Sequence, residues 1–193
     1  MTFLNEKKTF LAKLDKSKKG SIDERAIPLI STINKKDNYY TTSSCSGRVY
    51  LWQGTGKKNE TTWLKVSHDP ITVDFLKSDS DKMDEESSKN NPIWLRLEAF
   101  IMHIACKDID AASALLNQIH PLFKKSCILS ISNKIIVEIR GSEFIEMPLY
   151  QNNTLVFRGD LNWLTDLINE KLEKIWEGID KFKRMIEYSK QTK

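Results

Sequence analysis

Strand signals occur in adjacent pairs along this chain of 193 residues, and this arrangement is the strongest constraint on its fold. The run RVYLWQ at 48–53 is followed by TTWLKVSH at 61–68, across the turn sequence GTGKKNE. CILSIS at 127–132 is followed closely by KIIVEIR at 134–140. Strands joined by short turns pair antiparallel. The pattern therefore predicts an α+β fold with a mainly antiparallel or mixed sheet, formed as a single domain over residues 1–193.

A long helix is predicted from Asp160 to about Tyr188, where apolar residues recur at spacings of three and four. Trp163 and Leu167 widen this apolar stripe beyond the narrow seam of a coiled coil, so we expect the helix to lie across the sheet. Shorter flanking helices are predicted over residues 3–15 and 21–35, and a third begins at Asp108 or Asp110 and is closed by Pro121.

The second of these shorter helices carries two signals that bear on its start and its shape. Ser21 and Glu24 have the spacing of a capping box, which places the helix start at Ser21. Pro28 falls inside the predicted helix, where its ring removes one backbone hydrogen bond. We therefore expect a helix from Ser21 to about Lys35 that is kinked at Pro28.

Residues 78–91, SDSDKMDEESSKNN, contain a single apolar residue, Met83, among acidic and polar ones. A segment of this composition buries too little apolar surface to offset the entropy that it loses on ordering. We expect a mobile excursion on the surface of the domain, one that is dispensable for folding.

Composition permits a nucleic-acid partner without requiring one, because the net charge is +4 and the pI is about 8.8. The three cysteines, Cys45, Cys106 and Cys127, show no paired spacing, which indicates thiols in a reducing compartment. No apolar run approaches the roughly 20 residues of a membrane-spanning helix. These features predict a cytoplasmic protein with no membrane partner.

Several common catalytic signatures are missing from the sequence. The P-loop pattern is absent, and Gly54 and Gly56 lie in a predicted hairpin turn, which excludes a dinucleotide-binding fingerprint. The histidines lack HExxH spacing and there is no CxxC motif, so we predict no metal site. A cysteine-dependent enzyme stays open as an alternative, with Cys45 as nucleophile and His68 or His103 as its base.

The segment TTSSCSGR, residues 41–48, concentrates five hydroxyls, a thiol, a glycine and an arginine in a predicted loop between two strands. Hydroxyls and the amides beside Gly47 suit a carboxylate, ribose or phosphate, and Arg48 suits a carboxylate or phosphate that accepts two parallel hydrogen bonds. One interpretation is a ligand cradle. The other is a turn whose hydroxyls bond to their own backbone.

Five segments, in order along the chain, resemble the motifs of the wybutosine-synthesis protein 3 family. They are LDKSKKGSIDE at 14–24, TTSSCSGR at 41–48, WLKVSH at 63–68, LEAFIMHI at 97–104 and IRGSEFIEMPL at 139–149. The resemblance covers nearly the whole chain, and the lysine-rich final helix also fits. Ala99 stands where the family usually has proline, and Leu122 and Cys127 stand where it usually has glycines.

The resemblance implies a tRNA methyltransferase. Members of this family transfer a methyl group from S-adenosylmethionine to a ring nitrogen of a tricyclic, wyosine-type guanosine. That base lies 3′ of the anticodon in phenylalanine tRNA, so the implied partner is this anticodon loop rather than DNA. The missing Rossmann turn implies that such a methyltransferase uses another fold. A non-catalytic module that binds the anticodon loop stays open as the alternative.

The resemblance also implies binding roles for individual residues. Trp63 is a candidate to stack on the tricyclic base, and Arg140 and Glu146 are candidates to line the same site. Core packing for Trp63, and an ion pair between strands for Arg140 and Glu146, are the structural alternatives. The implied cradle for cofactor or substrate consists of Thr42, Ser43, Ser44, Cys45, Ser46, Gly47 and Arg48.

His103, His68 and Asp23 are the candidate catalytic residues. Either histidine is able to accept the proton of the substrate nitrogen or to hydrogen-bond the base, and Asp23 supplies a carboxylate. Each also suits a structural role. Asp23 fits the first turn of a helix, and a histidine on a strand is often hydrogen-bonded as part of the structure. The candidates to bind the tRNA backbone are Lys13, Lys16, Lys18 and Lys19.

Overall fold

The structure is a computed structural model that describes residues 2–12, 21–55, 60–77 and 92–188. Its helices are α1 (Phe3–Leu11), α2 (Ile27–Asn34), α3 (Val73–Leu76), α4 (Ile109–Ile119) and α5 (Leu161–Tyr188). Its strands are β1 (Tyr39–Cys45), β2 (Arg48–Gly54), β3 (Thr61–Ser67), β4 (Ile93–Glu98), β5 (Ile101–Cys106), β6 (Cys127–Ser130), β7 (Ile135–Arg140), β8 (Phe144–Gln151) and β9 (Thr154–Leu155). The predicted excursion at 78–91 and the candidate tRNA-binding Lys13, Lys16, Lys18 and Lys19 lie outside the described residues.

The chain forms two compact units, and each is built from separate stretches of sequence. The first unit comprises Met1–Ser46, Phe100–Ser142 and Ile175–Lys193, and the second comprises Gly47–Ala99 and Glu143–Lys174. The prediction that residues 1–193 form one domain stays a prediction. The backbone passes from one unit to the other after Ser46, Ala99, Ser142 and Lys174.

The first unit contains a four-stranded antiparallel sheet with the strand order β1-β5-β7-β6. β6 and β7 form the hairpin that the sequence predicts. β1 pairs with β5, which follows it only after the first stretch of the second unit. An irregularity between Thr41 and Ser43 shifts this pairing, so that Ser43 lies opposite His103.

One face of this sheet forms the core of the first unit, because burial alternates over the first four residues of β5 and over the last five of β7. α2 packs against β1, and α4 packs against β5 and β7. The end of α5 joins the same core: Gln118 Nε2 donates to the Met185 carbonyl at 3.0 Å, and the Phe182 ring meets Phe123 edge-on at 5.8 Å. The fully buried strand residues of this core are Met102, Ile104, Val137 and Ile139.

The second unit contains a five-stranded antiparallel sheet with the order β3-β2-β4-β8-β9, and β2 and β3 form the other predicted hairpin. Along β4, burial alternates strictly from residue to residue. The start of α5 is tied to the segment before α3, because the Asn169 amide exchanges two hydrogen bonds of 2.9 Å with the backbone of Ile71. The core-facing residues of β4 are Ile93, Leu95 and Leu97, and the opposite face carries Trp94, Arg96 and Glu98.

The second helix begins later than the capping-box pattern predicts. A 3-10 turn at Glu24–Ala26 comes first, α2 starts at Ile27, and Pro28 therefore lies in the first turn of α2. Proline is tolerated there because the first N–H groups of a helix have no partner within it. The predicted start at Ser21 and the predicted kink at Pro28 are both wrong.

The predicted α+β class is confirmed. Every strand pair in the described part of the chain is antiparallel, and α5 runs for 28 residues, as the apolar stripe predicts. Among the described residues, no helix is both long and apolar enough to cross a membrane.

Candidate functional site

The hydroxyl-rich segment is mainly strand, so the prediction of a loop over its whole length is wrong. β1 continues to Cys45 and β2 begins at Arg48, so that only Ser46 and Gly47 connect them. The strand is longer than predicted because the backbone of this segment pairs with β5. Gly47 has a φ of 97°, in the left-handed region that residues with a Cβ rarely adopt.

A buried carboxylate holds the end of this segment. Asp23 Oδ2 accepts hydrogen bonds from the backbone N–H of Ser46 at 2.8 Å and from its hydroxyl at 3.1 Å. Asp23 is only 7% exposed and Ser46 only 1%, so water competes little for these bonds. The two bonds fix Ser46 at the point where the chain turns at Gly47.

Ser43, His103 and Glu138 lie side by side on three strands of the first unit. Ser43 Oγ is 2.8 Å from His103 Nδ1, and His103 Nε2 is 3.0 Å from Glu138 Oε2. The Thr42 hydroxyl donates to the His103 carbonyl oxygen at 3.2 Å. Both ring nitrogens of His103 are therefore hydrogen-bonded, which holds the imidazole in one orientation.

Arg48 binds a glutamate within the second unit. Its Nε and Nη2 atoms approach Glu98 Oε2 at 2.9 and 2.7 Å, and the Tyr50 hydroxyl donates to Glu98 Oε1 at 2.8 Å. The Arg48 guanidinium lies 4.5 Å from the centre of the Trp63 ring, which stacks on Tyr50 at 5.0 Å. Trp63 is 47% exposed, so it is not a core residue.

The charges in this cluster are set by burial and by its hydrogen bonds. Burial alone raises the pKa of a carboxyl, but the hydrogen bonds from Tyr50 and Arg48 outweigh burial and hold the pKa of Glu98 below its usual 4.5. Burial, followed by the hydrogen bond to Glu98, raises the pKa of Tyr50 to about 12. At neutral pH, an ionised Glu98 thus accepts from a neutral Tyr50.

Glu146 joins the same cluster through Arg96, the residue directly opposite it in β4. Arg96 Nε donates to Glu146 Oε1 at 2.8 Å, and Arg96 Nη1 donates to the Tyr50 hydroxyl at 3.1 Å. His68 follows β3 in the second unit and is partly buried. Arg140 lies in the first unit, exposed at the end of β7.

The structure thus groups the sequence-predicted residues into three sets. Arg48, Trp63 and Glu146 meet in the cluster of the second unit. The other two sets belong to the first unit: Ser43 with His103, and Asp23 with Ser46.

Sequence reasoning does not single out Glu138, Tyr50 or Arg96, although each of them orients a predicted residue. These partners follow from which strands are neighbours, and pairing between distant strands is not visible in one sequence. One signal does point to Arg96: in the run IWLRLE it shares a strand face with Glu98, because side chains alternate along a strand.

Comparison with known proteins shows similarity over nearly the whole chain. The family model described as methyltransferase TYW3 matches residues 5–188. A protein of Methanocaldococcus jannaschii, named tRNA(Phe) 7-((3-amino-3-carboxypropyl)-4-demethylwyosine(37)-N(4))-methyltransferase, is 36% identical over 184 residues, covering 92% of this chain and 93% of that protein. A tRNA wybutosine-synthesizing protein 3 homolog of Danio rerio is 30% identical over 198 residues, covering 98% of this chain and 76% of that protein.

A solved structure shows the same similarity in three dimensions. The PH1069 protein from Pyrococcus horikoshii superposes with a TM-score of 0.82 at 32% sequence identity, and the match covers 96% of each chain. The resemblance seen in the five sequence segments is confirmed by these matches. The chain therefore belongs to the methyltransferase TYW3 family.

Proposed function

We propose that the chain transfers a methyl group from S-adenosylmethionine to N4 of a demethylwyosine-type base in phenylalanine tRNA. The observation that carries the proposal is the archaeal relative named for this activity at position 37, which is 36% identical and aligned over 92% of this chain. Family membership supports methyl transfer, and the name of this relative supports the nucleoside and the nitrogen.

S-adenosylmethionine supplies an already activated methyl group, so the chain must chiefly align the reactants and exclude water. The Thr42–Arg48 segment suits alignment, because the hydroxyls of Thr42, Ser43 and Ser44 are not buried, while the buried Ser46 and Gly47 form the left-handed turn after them. Asp23 keeps Ser46 in place. Arg48 already donates two hydrogen bonds to Glu98, so its guanidinium is able to bind a ligand only through its remaining N–H groups.

A nitrogen that gains a methyl group must lose its proton, and His103 is our first candidate to accept it. Its ring is fixed by hydrogen bonds at both nitrogens, and its side chain is 27% exposed. A positioned imidazole is a common proton acceptor near neutral pH. His68 is the second candidate for this role.

In this proposal, the chain binds the tRNA by aromatic stacking on a base and by contacts to the backbone phosphates. Trp63, with a half-exposed ring, stacks on the tricyclic base or on a neighbouring base of the anticodon loop. Glu146 keeps Arg96 in place against Tyr50, the residue on which Trp63 stacks. The backbone phosphates are bound by the exposed Arg140 and by Lys13, Lys16, Lys18 and Lys19.

The test is to incubate the purified chain with labelled S-adenosylmethionine and phenylalanine tRNA that carries the demethylwyosine-type base. We expect one methyl group per tRNA, located at N4 by mass spectrometry of the released nucleosides. The matched control is the same tRNA with an unmodified guanosine at that position, which should receive no label.

Two variants separate this proposal from its alternatives. His103→Gln should slow methyl transfer by about 10²- to 10⁴-fold while tRNA still binds, the range for loss of a general base. A wild-type chain that binds the tRNA tightly and never methylates it would favour the non-catalytic binding module. Loss of transfer in Cys45→Ala, with substrate binding retained, would favour the cysteine-dependent enzyme.

A further inference from the structure

We propose that Ser43, His103 and Glu138 form a proton relay, in which Ser43 meets the substrate nitrogen and Glu138 is a positioning residue. This inference rests on the proposed methyl transfer and goes further by naming the path of the proton. Three observations in the first unit carry it: the strand register, the hydrogen-bond distances at both ring nitrogens of His103, and an extra residue in β1.

The strand register places the three side chains in one row. β5 lies between β1 and β7, with His103 opposite Ser43 on one side and opposite Glu138 on the other. Residues directly opposite each other in antiparallel strands project from the same face. The neighbours of His103 in β5, Met102 and Ile104, are buried on the other face. The row thus lies on paired strands of the sheet, which hold side chains more rigidly than loops do.

The chemistry of the three groups assigns one direction to the hydrogen bonds of the row. A carboxylate only accepts, so Nε2 of His103 carries the hydrogen that is donated to Glu138 at 3.0 Å. In the neutral imidazole, Nδ1 then has a free lone pair, and the Ser43 hydroxyl donates to it at 2.8 Å. The same order of hydroxyl, imidazole and carboxylate lets a histidine take a proton from a serine in hydrolases.

An extra residue in β1 creates the contact between Ser43 and His103. Thr41 lies opposite Ile104, so regular pairing would place Thr42 opposite His103, but Ser43 takes that place. Such bulges disrupt the ladder of backbone bonds and occur next to active sites, where they re-aim a side chain. If the His103–Glu138 contact served stability alone, it would not require the extra residue that brings Ser43 opposite His103.

Exposure to solvent rises along the row towards the hydroxyl. The Glu138 side chain is 16% exposed and that of His103 is 27% exposed, whereas Ser43 is an exposed residue. The orienting carboxylate is therefore the least exposed of the three groups, and its lower exposure strengthens its bond to the imidazole. The hydroxyl at the other end is accessible to a large substrate such as tRNA.

The relay balances the atoms and charges of the methyl transfer. The substrate nitrogen attacks the methyl carbon, and the new N–C bond forms as the C–S bond breaks and leaves its electron pair on a neutral thioether. The proton of the nitrogen passes to Ser43 Oγ while the hydroxyl proton of Ser43 passes to His103 Nδ1. His103 ends the step as a cation beside the Glu138 carboxylate and then returns the proton to water.

The first test compares three variants by steady-state kinetics on the modified tRNA. Glu138→Met keeps the length of the side chain without the carboxylate, and we expect kcat to fall by about 10- to 100-fold, as when a partner that orients a histidine is lost. Ser43→Ala should lower kcat similarly. KM should stay near the wild-type value in Glu138→Met, because this change leaves the Thr42–Arg48 segment intact. The control, Glu187→Met, removes a carboxylate in an exposed pair with Lys183 and should leave kcat unchanged.

The second test reads the tautomer of His103 by nitrogen NMR and needs no substrate. In the wild-type chain, we expect the hydrogen on Nε2 and the lone pair on Nδ1. In Glu138→Met that preference should disappear while the unfolding midpoint in urea shows that the chain is still folded.

The outcomes separate this inference from the proposed function. If the wild-type chain methylates the tRNA and Glu138→Met does so equally fast, the relay is overturned while the proposed function stands. A wild-type His103 that carries its hydrogen on Nδ1 also overturns the relay alone. If the wild-type chain transfers no methyl group, both the proposed function and the relay are overturned.

Discussion

Asp23 and Glu98 each use a carboxylate to hold donor groups of the Thr42–Arg48 segment in place. Asp23 accepts from the backbone and hydroxyl of Ser46, and Glu98 accepts from the Arg48 guanidinium. A buried donor that loses its acceptor costs more than the net value of the hydrogen bond, since it regains no bond to water. Single substitutions at these two carboxylates therefore probe how the segment is kept in shape.

Asp23→Ala should destabilise the chain by about 1–3 kcal/mol, because it leaves the buried N–H and hydroxyl of Ser46 without this acceptor. The measurement is the free energy of unfolding in urea at neutral pH. Asp180→Ala, at an exposed position of α5, is the control and should change stability by less than about 0.5 kcal/mol. Equal stability of the two variants would contradict a structural role for Asp23.

Glu98→Gln should make the chain less sensitive to acid. The pKa of Glu98 is lower in the folded chain than its usual 4.5, so the unfolded chain binds more protons in the range below that value. The stability that Glu98 contributes is fully present above about pH 4.5 and is lost as the pH falls through the folded pKa. Replacing the carboxyl removes this loss, although stability at neutral pH falls.

The measurement for this second prediction is the difference in unfolding free energy between pH 7 and pH 3, which should be smaller in Glu98→Gln than in the wild-type chain. Tyr50→Phe removes one hydrogen bond that lowers the pKa of Glu98 and should produce part of the same effect. An unchanged pH dependence in Glu98→Gln would show that Arg48 and Tyr50 do not hold this carboxyl in its ionised form.

At the scale of elements, α5 depends on a stripe of apolar side chains that runs along its whole length. The first part of the helix belongs to the second unit and the last part to the first unit. Every one of its seven stripe residues after Leu161 is at most 3% exposed: Leu164, Ile168, Leu172, Ile175, Ile179, Phe182 and Ile186. Most of the helix's stability therefore comes from burying this face, as is usual for amphipathic helices.

Leu172→Ala should cost about 2–5 kcal/mol of unfolding free energy, because the leucine is fully buried and its removal leaves a cavity. Its neighbour Glu173 is exposed, so Glu173→Ala serves as the control and should change the unfolding free energy by less than about 0.5 kcal/mol. A cost below about 1 kcal/mol for Leu172→Ala would mean that this face of α5 is not packed as described.

The elements that the sequence predicts well are those whose signals are local. The apolar spacing of α5 and the short turns of the β2–β3 and β6–β7 hairpins each lie within one stretch of chain. β1 is longer than predicted because pairing with the distant β5 draws Ser43, Ser44 and Cys45 into the sheet, against their preference for turns.

The candidate site shows the same limit. Its motif residues are recognisable in the sequence, but the partners that orient them come from strand registers that only the folded chain defines. Glu138 reaches His103 because β7 lies beside β5, and Arg96 reaches Glu146 because β4 lies beside β8. Such pairings depend on contacts between distant strands, for which a single sequence carries no local signal.

At the scale of the whole molecule, the net charge of +4 is small for a protein that is proposed to bind tRNA. Binding must then rely on local clusters of positive charge rather than on an overall field. Residues 13–19 contain four lysines and one aspartate, the densest such cluster before the final helix. This cluster is our first choice for contacts to the tRNA backbone.

Changing Lys16, Lys18 and Lys19 together to alanine should weaken tRNA binding and flatten the log–log salt dependence by roughly two units, since each phosphate contact contributes about 0.7–0.9. Binding of S-adenosylmethionine alone should change little. The measurement is a salt titration of the tRNA dissociation constant. An unchanged slope would contradict the prediction and direct attention to Lys181, Lys183 and Arg184 near the end of α5.

The backbone passes between the two units four times. This sets the order in which the units are completed as the ribosome makes the chain. The first unit starts with α1 and β1, yet its core also needs Phe182 and Met185 from the end of α5. It is thus the first unit to begin and the last to be finished. A product that stops before Ile175 completes neither the core nor the helix, and its uncovered apolar surface is what chaperones and proteases act upon.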